Sequence, residues 1–212
     1  MTQNILRNDI EYIIHSDSKG NIIGPISKKH AHLEGVRAIL THHSTWSMVY
    51  HQETGEYGIQ LKNPKKHDKY SGGKWDMGIA GHNSYFKENG LFRPLGFDEN
   101  LIKEAQEEIG INVNMCKTKN EFLKIIKNTL GQSLGFIFEK FHYKTKIDNE
   151  WIGLGFIVVP NTQVSFKDKE VIDFKWLSPE QLRIYLKTND NYCSPLLLVF
   201  EKAEKFRKEN LI

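Results

Sequence analysis

The chain has 212 residues, 39% hydrophobic and 26% charged, which is enough apolar side chain for one sizeable core and excludes a disordered chain. A formal charge of +3 excludes the dense basic stripe of a dedicated nucleic-acid binder and permits an anionic small-molecule partner. Only Cys116 and Cys193 are present, which excludes a disulfide framework, and no apolar run reaches the ~18 residues of a membrane span.

A reduced, cytoplasmic setting without a nucleic-acid or membrane partner is therefore expected, and a homodimer is compatible with it. Residues 10–15 read as a strand closed by a polar turn at 16–21. Strands are predicted at 36–41 and 46–51, then a hairpin turn at Glu53-Thr54-Gly55-Glu56 leading into a strand at 57–61. The stretch 63–73 is a basic, turn-rich loop with Lys65, Lys66 and Lys69, and 75–80 reads as a strand. Between Gly81 and Gly96 the periodicity breaks, and Gly90 and Pro94 argue for a long loop of functional kind. Asp98 is expected to cap a helix that stops at Gly110. A strand at 111–115, an amphipathic helix at 120–130 and strands at 134–144, 151–159 and 171–177 follow. Ser178-Pro179 and Ser194-Pro195 each open a helix. This order gives an α+β architecture in a single domain, with an N-terminal strand extension (1–35), a core (36–178) and C-terminal helices (178–212).

The helix after Gly96 carries the chemistry. Phe97, Leu101, Ala105 and Ile109 recur every fourth residue and define a packed face. At about 100° per residue, Glu104 and Glu108 lie roughly 40° apart and Glu107 about 60° to the other side. The three carboxylates share one arc, and Glu108 falls inside the apolar stripe. Like charges one turn apart repel, and a carboxylate on a packed face loses hydration. A solvated acidic face would lie opposite the stripe, so a hard divalent cation with oxygen ligands is the expected resolution.

Lys103-Glu104-Ala105-Gln106-Glu107-Glu108-Ile109-Gly110-Ile111 resembles the second half of the Nudix box, R-E-U-x-E-E-x-G-U, with Lys103 in place of Arg. The resemblance implies a mixed β-sheet between α-helices and hydrolysis of a phosphoanhydride in a nucleoside diphosphate or other small organic diphosphate. It also implies Mg²⁺ or Mn²⁺ held by Glu104, Glu107 and Glu108, with Glu107 or Glu108 as catalytic base. The first half of the box departs from the pattern. Counting back places Leu95 at its acid position and Asn89 at its Gly, so Gly81 is expected to keep the glycine role and Glu88 to replace the acid. Asp17 to Gly24, His30-Ala31-His32, Lys74-Trp75-Asp76 and Ala80-Gly81-His82 are similar to the branch that includes isopentenyl-diphosphate isomerases. Isomerases of that branch place a Cys where this chain has Ala80, and they need a second upstream His, which is missing around Arg37-Ala38. Asp148 and Glu150 sit where that branch keeps its paired acids. Isomerisation and ligand binding without cleavage are the alternatives to hydrolysis. Lys62, Lys66 and Lys69 are candidate point charges for a diphosphate, and His82 and Glu150 are further candidates for the substrate site. His42-His43 reads as a structural pair on a strand end, and the four Trp residues as core.

Overall fold

A computed structural model describes residues 6–66, 69–127 and 131–212. The chain runs β1 (Tyr12–Ser16), β2 (Ile22–Ser27), α1 (Lys28–Ala31), β3 (His42–His51), β4 (Glu56–Lys62), β5 (Trp75–Met77) and β6 (Ile79–His82). It continues through β7 (Tyr85–Glu88), β8 (Leu91–Pro94), α2 (Phe97–Glu108), β9 (Val113–Met115) and α3 (Lys119–Ile126). The last elements are β10 (Ser133–Lys144), β11 (Asn149–Val159), β12 (Val171–Leu177), α4 (Pro179–Thr188) and α5 (Pro195–Glu209).

β3 is the axis of a mixed sheet in the order β12-β4-β3-β11-β10-β9, with β1, β5 and β6 joined at its sides and β2 on β1. β3 and β11 run parallel, His42 opposite Glu150 and His51 opposite Val159. Their period of two sends alternate side chains to opposite faces. Trp46, Met48, Tyr50, Ile152, Leu154, Phe156 and Val158 form one core with Phe122, Leu182 and Phe200 from α3, α4 and α5. Val49, Ile157 and Val159 form the other with Leu101, Ala105 and Ile109 at α2. α2 sits close because β11 presents glycines to it: a Cβ on Gly153 would lie 2.3 Å from Phe97, and one on Gly155 would lie 2.7 Å from Leu101. The expected α+β arrangement, a mixed sheet between helices, is present.

Four local expectations change. Residues 36–41 are successive turns rather than a strand, with Val36 N–H bonded to Leu33 O and Leu40 N–H to Val36 O. The strands beside β3 that this segment would pair with are already taken by β1, β4, β6 and β11. The loop expected between Gly81 and Gly96 holds the hairpin β7–β8, turned by Asn89 (φ 51°) and Gly90 (φ 83°). Both central residues at positive φ suit a tight hairpin, and Asn-Gly was its legible signal. α2 is capped by Gly96, whose N–H donates to Glu99 Oε2 at 2.9 Å, two residues before the expected Asp98. The helix expected at 120–130 spans Lys119–Ile126, and its positions 128–130 lie outside the described residues. No helix among the described residues is long and apolar enough to cross a membrane.

Candidate active site

Glu108 is fully buried, as its place on the apolar stripe requires. Its Oε1 accepts from Lys62 Nζ at 2.7 Å, and its Oε2 accepts from Gln60 Nε2 at 3.2 Å and from the Ala80 N–H at 3.0 Å. The partner of this carboxylate, on the helix where the sequence suggested a metal ion, is an ammonium from β4. Burial pushes the Lys62 ammonium toward neutrality, but Glu108 and Asp76 outweigh it and raise its pKa. Lys62, expected to meet a diphosphate as a free point charge, is thus held by Glu108.

Glu104 lies one turn earlier, against the backbone of β6. Gly81 makes the room, since a Cβ there would fall 2.2 Å from Glu104 Cδ. Lys103 Nζ bridges the two remaining acids, 3.0 Å from Glu104 Oε1 and 2.6 Å from Glu107 Oε2. Burial outweighs Lys103 and, with the charges of Glu108 and Glu107, pushes Glu104 up to about 7.

Glu104 and Glu107 open into a cavity of about 690 Å³ that also receives His32, His82, Asp148 and Glu150. His32, His42 and His82 bring ring nitrogens within 4.8 Å of one another, and His42 does the same with Asp148 and Glu150. The Nε2 atoms of His32 and His82 are 3.2 Å apart. Pairing explains the assembly: His42 faces Glu150 across β3–β11, and Ser44, two residues on, faces His82 across β3–β6. Burial holds His42 down to about 4 and His82 well below its ordinary value, so both imidazoles are neutral at pH 7. Burial, then the charge of Asp148, raises Glu150 well above the carboxylate range.

These residues fit a divalent cation. His42 Nε2 is buried with no hydrogen-bond partner among the described residues, and neutral imidazoles beside two carboxylates are a metal's donor set. Such a set suits Zn²⁺ or Mn²⁺ better than the all-oxygen shell preferred by Mg²⁺. On α2, by contrast, each carboxylate already holds a lysine.

Of the residues singled out from sequence, Glu104, Glu107, Lys62, Lys66, His82 and Glu150 line this one cavity. Glu108 does not reach its wall. Lys69 does not either, its Nζ lying 5.1 Å over the Tyr70 ring. Glu88 pairs with Arg93 on the β7–β8 hairpin, away from the cavity. His42, read as structural, lies with His32 and His82 in this cluster; only residues 39–41 separate it from Arg37-Ala38, where a second upstream histidine was sought. Arg37, Asp76 and Cys193 also line the cavity; Asp76 stands in the Lys74-Trp75-Asp76 motif, and the other two carried no local signal.

No protein-family model matches the chain, and neither does any curated protein. Solved structures do. The DR0079 protein of Deinococcus radiodurans superposes with a TM-score of 0.62 at 12% identity, over 91% of this chain and 99% of that one. The MutT protein of Methanosarcina mazei gives 0.52 at 16% identity, over 79% and 96%. A Nudix-family hydrolase of Clostridium perfringens gives 0.47 at 18% identity, over 78% and 97%. At such identities the likeness is one of fold.

Proposed function

From the Nudix fold that this chain has, we propose that it is a divalent-metal-dependent pyrophosphohydrolase acting on a nucleoside diphosphate or another small organic diphosphate. The observation that carries the reading is the meeting, in one cavity, of the α2 acids Glu104 and Glu107 with His32, His82, Asp148 and Glu150, with His42 buried beside them. The cluster would hold the ion, which when bound polarises a phosphoryl oxygen and acidifies water. Glu104, with a carboxyl near pH 7, is suited to take a proton from an attacking water at its Oε atoms. Lys28, Arg37, Lys66 and Lys146 line the same cavity and favour an anionic substrate. Glu107 and Lys103 form the rim of α2 nearest to it. Glu108 acts through Lys62 and the Ala80 N–H, fixing the strand that carries His82.

A second reading has one specific observation behind it. His42 supplies the histidine whose absence weighed against an isomerase of the isopentenyl-diphosphate type. Ala80 still stands where those enzymes keep a cysteine, although the Cys193 thiol lines this cavity.

The test is a substrate screen with Mg²⁺, Mn²⁺ or Zn²⁺ over nucleoside di- and triphosphates, dinucleotides, ADP-ribose, thiamine diphosphate and prenyl diphosphates. Glu104→Gln, Glu107→Gln and His82→Ala serve as controls. Phosphate or monophosphate release that falls about 10²–10⁴-fold in Glu104→Gln supports the hydrolase. Isomer exchange without phosphate release supports the second reading. Metal-dependent thermal stabilisation by a diphosphate with no turnover at all would make the domain a ligand-binding module and end both.

A further inference from the structure

The cluster draws its ligands from four chain segments, and one buried side chain ties together the two that carry His42 and the acids. Asn149 is 2% exposed and lies between Asp148 and Glu150 at the start of β11. Its Nδ2 donates to Ile39 O at 2.8 Å, and its Oδ1 accepts from Thr41 Oγ1 at 3.0 Å and from His142 Nε2 at 2.6 Å. Because an amide oxygen only accepts, His142 Nε2 carries the hydrogen of that bond. The Asn149 N–H donates to Asp148 Oδ1 at 3.0 Å. Ile39 and Thr41 lead directly into His42, and His142 belongs to the partner strand of the same hairpin.

We infer that Asn149 is a positioning residue for the histidine–carboxylate cluster, fixing His42 against Asp148 and Glu150 by fastening the 39–41 segment to the β10–β11 hairpin. Asp148 is steadied from both sides: Arg37 Nη2 holds Oδ2 at 2.5 Å, while Oδ1 takes the Asn149 N–H and faces His42 Nε2 at 4.0 Å. Without the amide, Ile39 and Thr41 lose these bonds to the hairpin, and only the Arg37–Asp148 contact and the β3–β11 pairing are left to set His42 against the two acids. Residues that orient ligands in this way commonly govern metal affinity by about 10–100-fold. The inference rests on the cluster being a metal site, as the proposed function has it.

Co²⁺ is the probe, titrated into the full chain and followed by its visible absorption, with the metal-free melting temperature recorded for every variant. Asn149→Leu keeps the volume and removes the bonds; Thr41→Val removes one donor isosterically. Asn149→Leu should bind Co²⁺ about 10–100-fold more weakly with an altered band shape, and Thr41→Val several-fold more weakly. His142→Gln, whose amide can still donate to Asn149 Oδ1, should keep near wild-type affinity where His142→Leu does not. Should Asn149→Leu fail to fold, Thr41→Val and the His142 pair make the same comparison. Unchanged Co²⁺ affinity and spectrum in these variants, with only the melting temperature lowered, would overturn the inference and leave the metal site standing, provided His82→Ala abolishes binding. A wild-type chain that binds no Co²⁺ would overturn the metal site, and this inference with it.

Discussion

Lys62→Met is the substitution that probes most directly how α2 is held to the sheet. Lys62 and Glu108 have side chains 4% and 1% exposed, with Nζ 2.7 Å from Oε1. The lysine sits between Glu108 and Asp76, whose charges together keep it ionised. Removing it leaves two largely buried carboxyl groups without their cation. Breaking a buried pair from one side costs about 3–5 kcal/mol. For a chain of this length each kcal/mol is worth about 2–4 °C, so the melting temperature should fall by roughly 6–20 °C. Urea unfolding at pH 7.5 with EDTA gives the free energy, and a thermal scan gives the shift. Glu108→Gln in the Lys62→Met background should recover much of the loss, because the amide oxygen can still accept the Ala80 N–H while the stranded charge is gone. A single-variant loss below about 1 kcal/mol, or single losses that simply add in the double variant, would refute the view that this buried ion pair holds α2 to the sheet.

Gly81→Ala should drive Glu104 off β6, since the new Cβ falls 2.2 Å from its Cδ. Turnover should drop by about 10²-fold or more in steady-state kinetics, approaching the loss in Glu104→Gln. Glu104 also sets a pH dependence. Its folded carboxyl is raised from 4.5 to about 7, so the stability it contributes is complete below pH 4.5 and is lost as pH rises through about 7. In EDTA, the wild type should lose up to about 3 kcal/mol relative to Glu104→Gln across that window, read from urea melts at several pH values; a difference of the opposite slope would contradict the burial argument. Tyr57→Phe removes a buried hydroxyl that donates to Glu204 Oε2 at 2.9 Å, and should cost about 1.5–3 kcal/mol in chemical denaturation. In His82→Ala, the roughly 2.7 kcal/mol of stabilisation expected from Mn²⁺ at 100 times its dissociation constant should vanish, as measured by thermal shift.

Much of the scaffold was legible from local signals. The four-residue recurrence of Phe97, Leu101, Ala105 and Ile109 located α2, and the same periodicity placed Glu108 on the buried side, where it lies. Ser178-Pro179 opens α4 as expected, with Ser178 Oγ accepting the Gln181 N–H. The hairpin at Asn89-Gly90 was legible too, but the surrounding polar, irregular sequence obscured it.

By itself the sequence determined which side chains face inward along each element, because helix and strand periods are properties of the local backbone. It therefore located the three acids of α2 and their burial cost. Only the tertiary structure decided what meets that cost. Lys62 and Glu108 are 46 residues apart, and sheet order alone brings β4 beneath α2. The same holds for the histidine cluster: His42, His82, Asp148 and Glu150 become neighbours through the parallel pairing of β3 with β11 and the antiparallel pairing of β3 with β6, and His32 joins them from the end of α1. Strand pairing is a long-range choice made by the whole core, and no window of local sequence contains it.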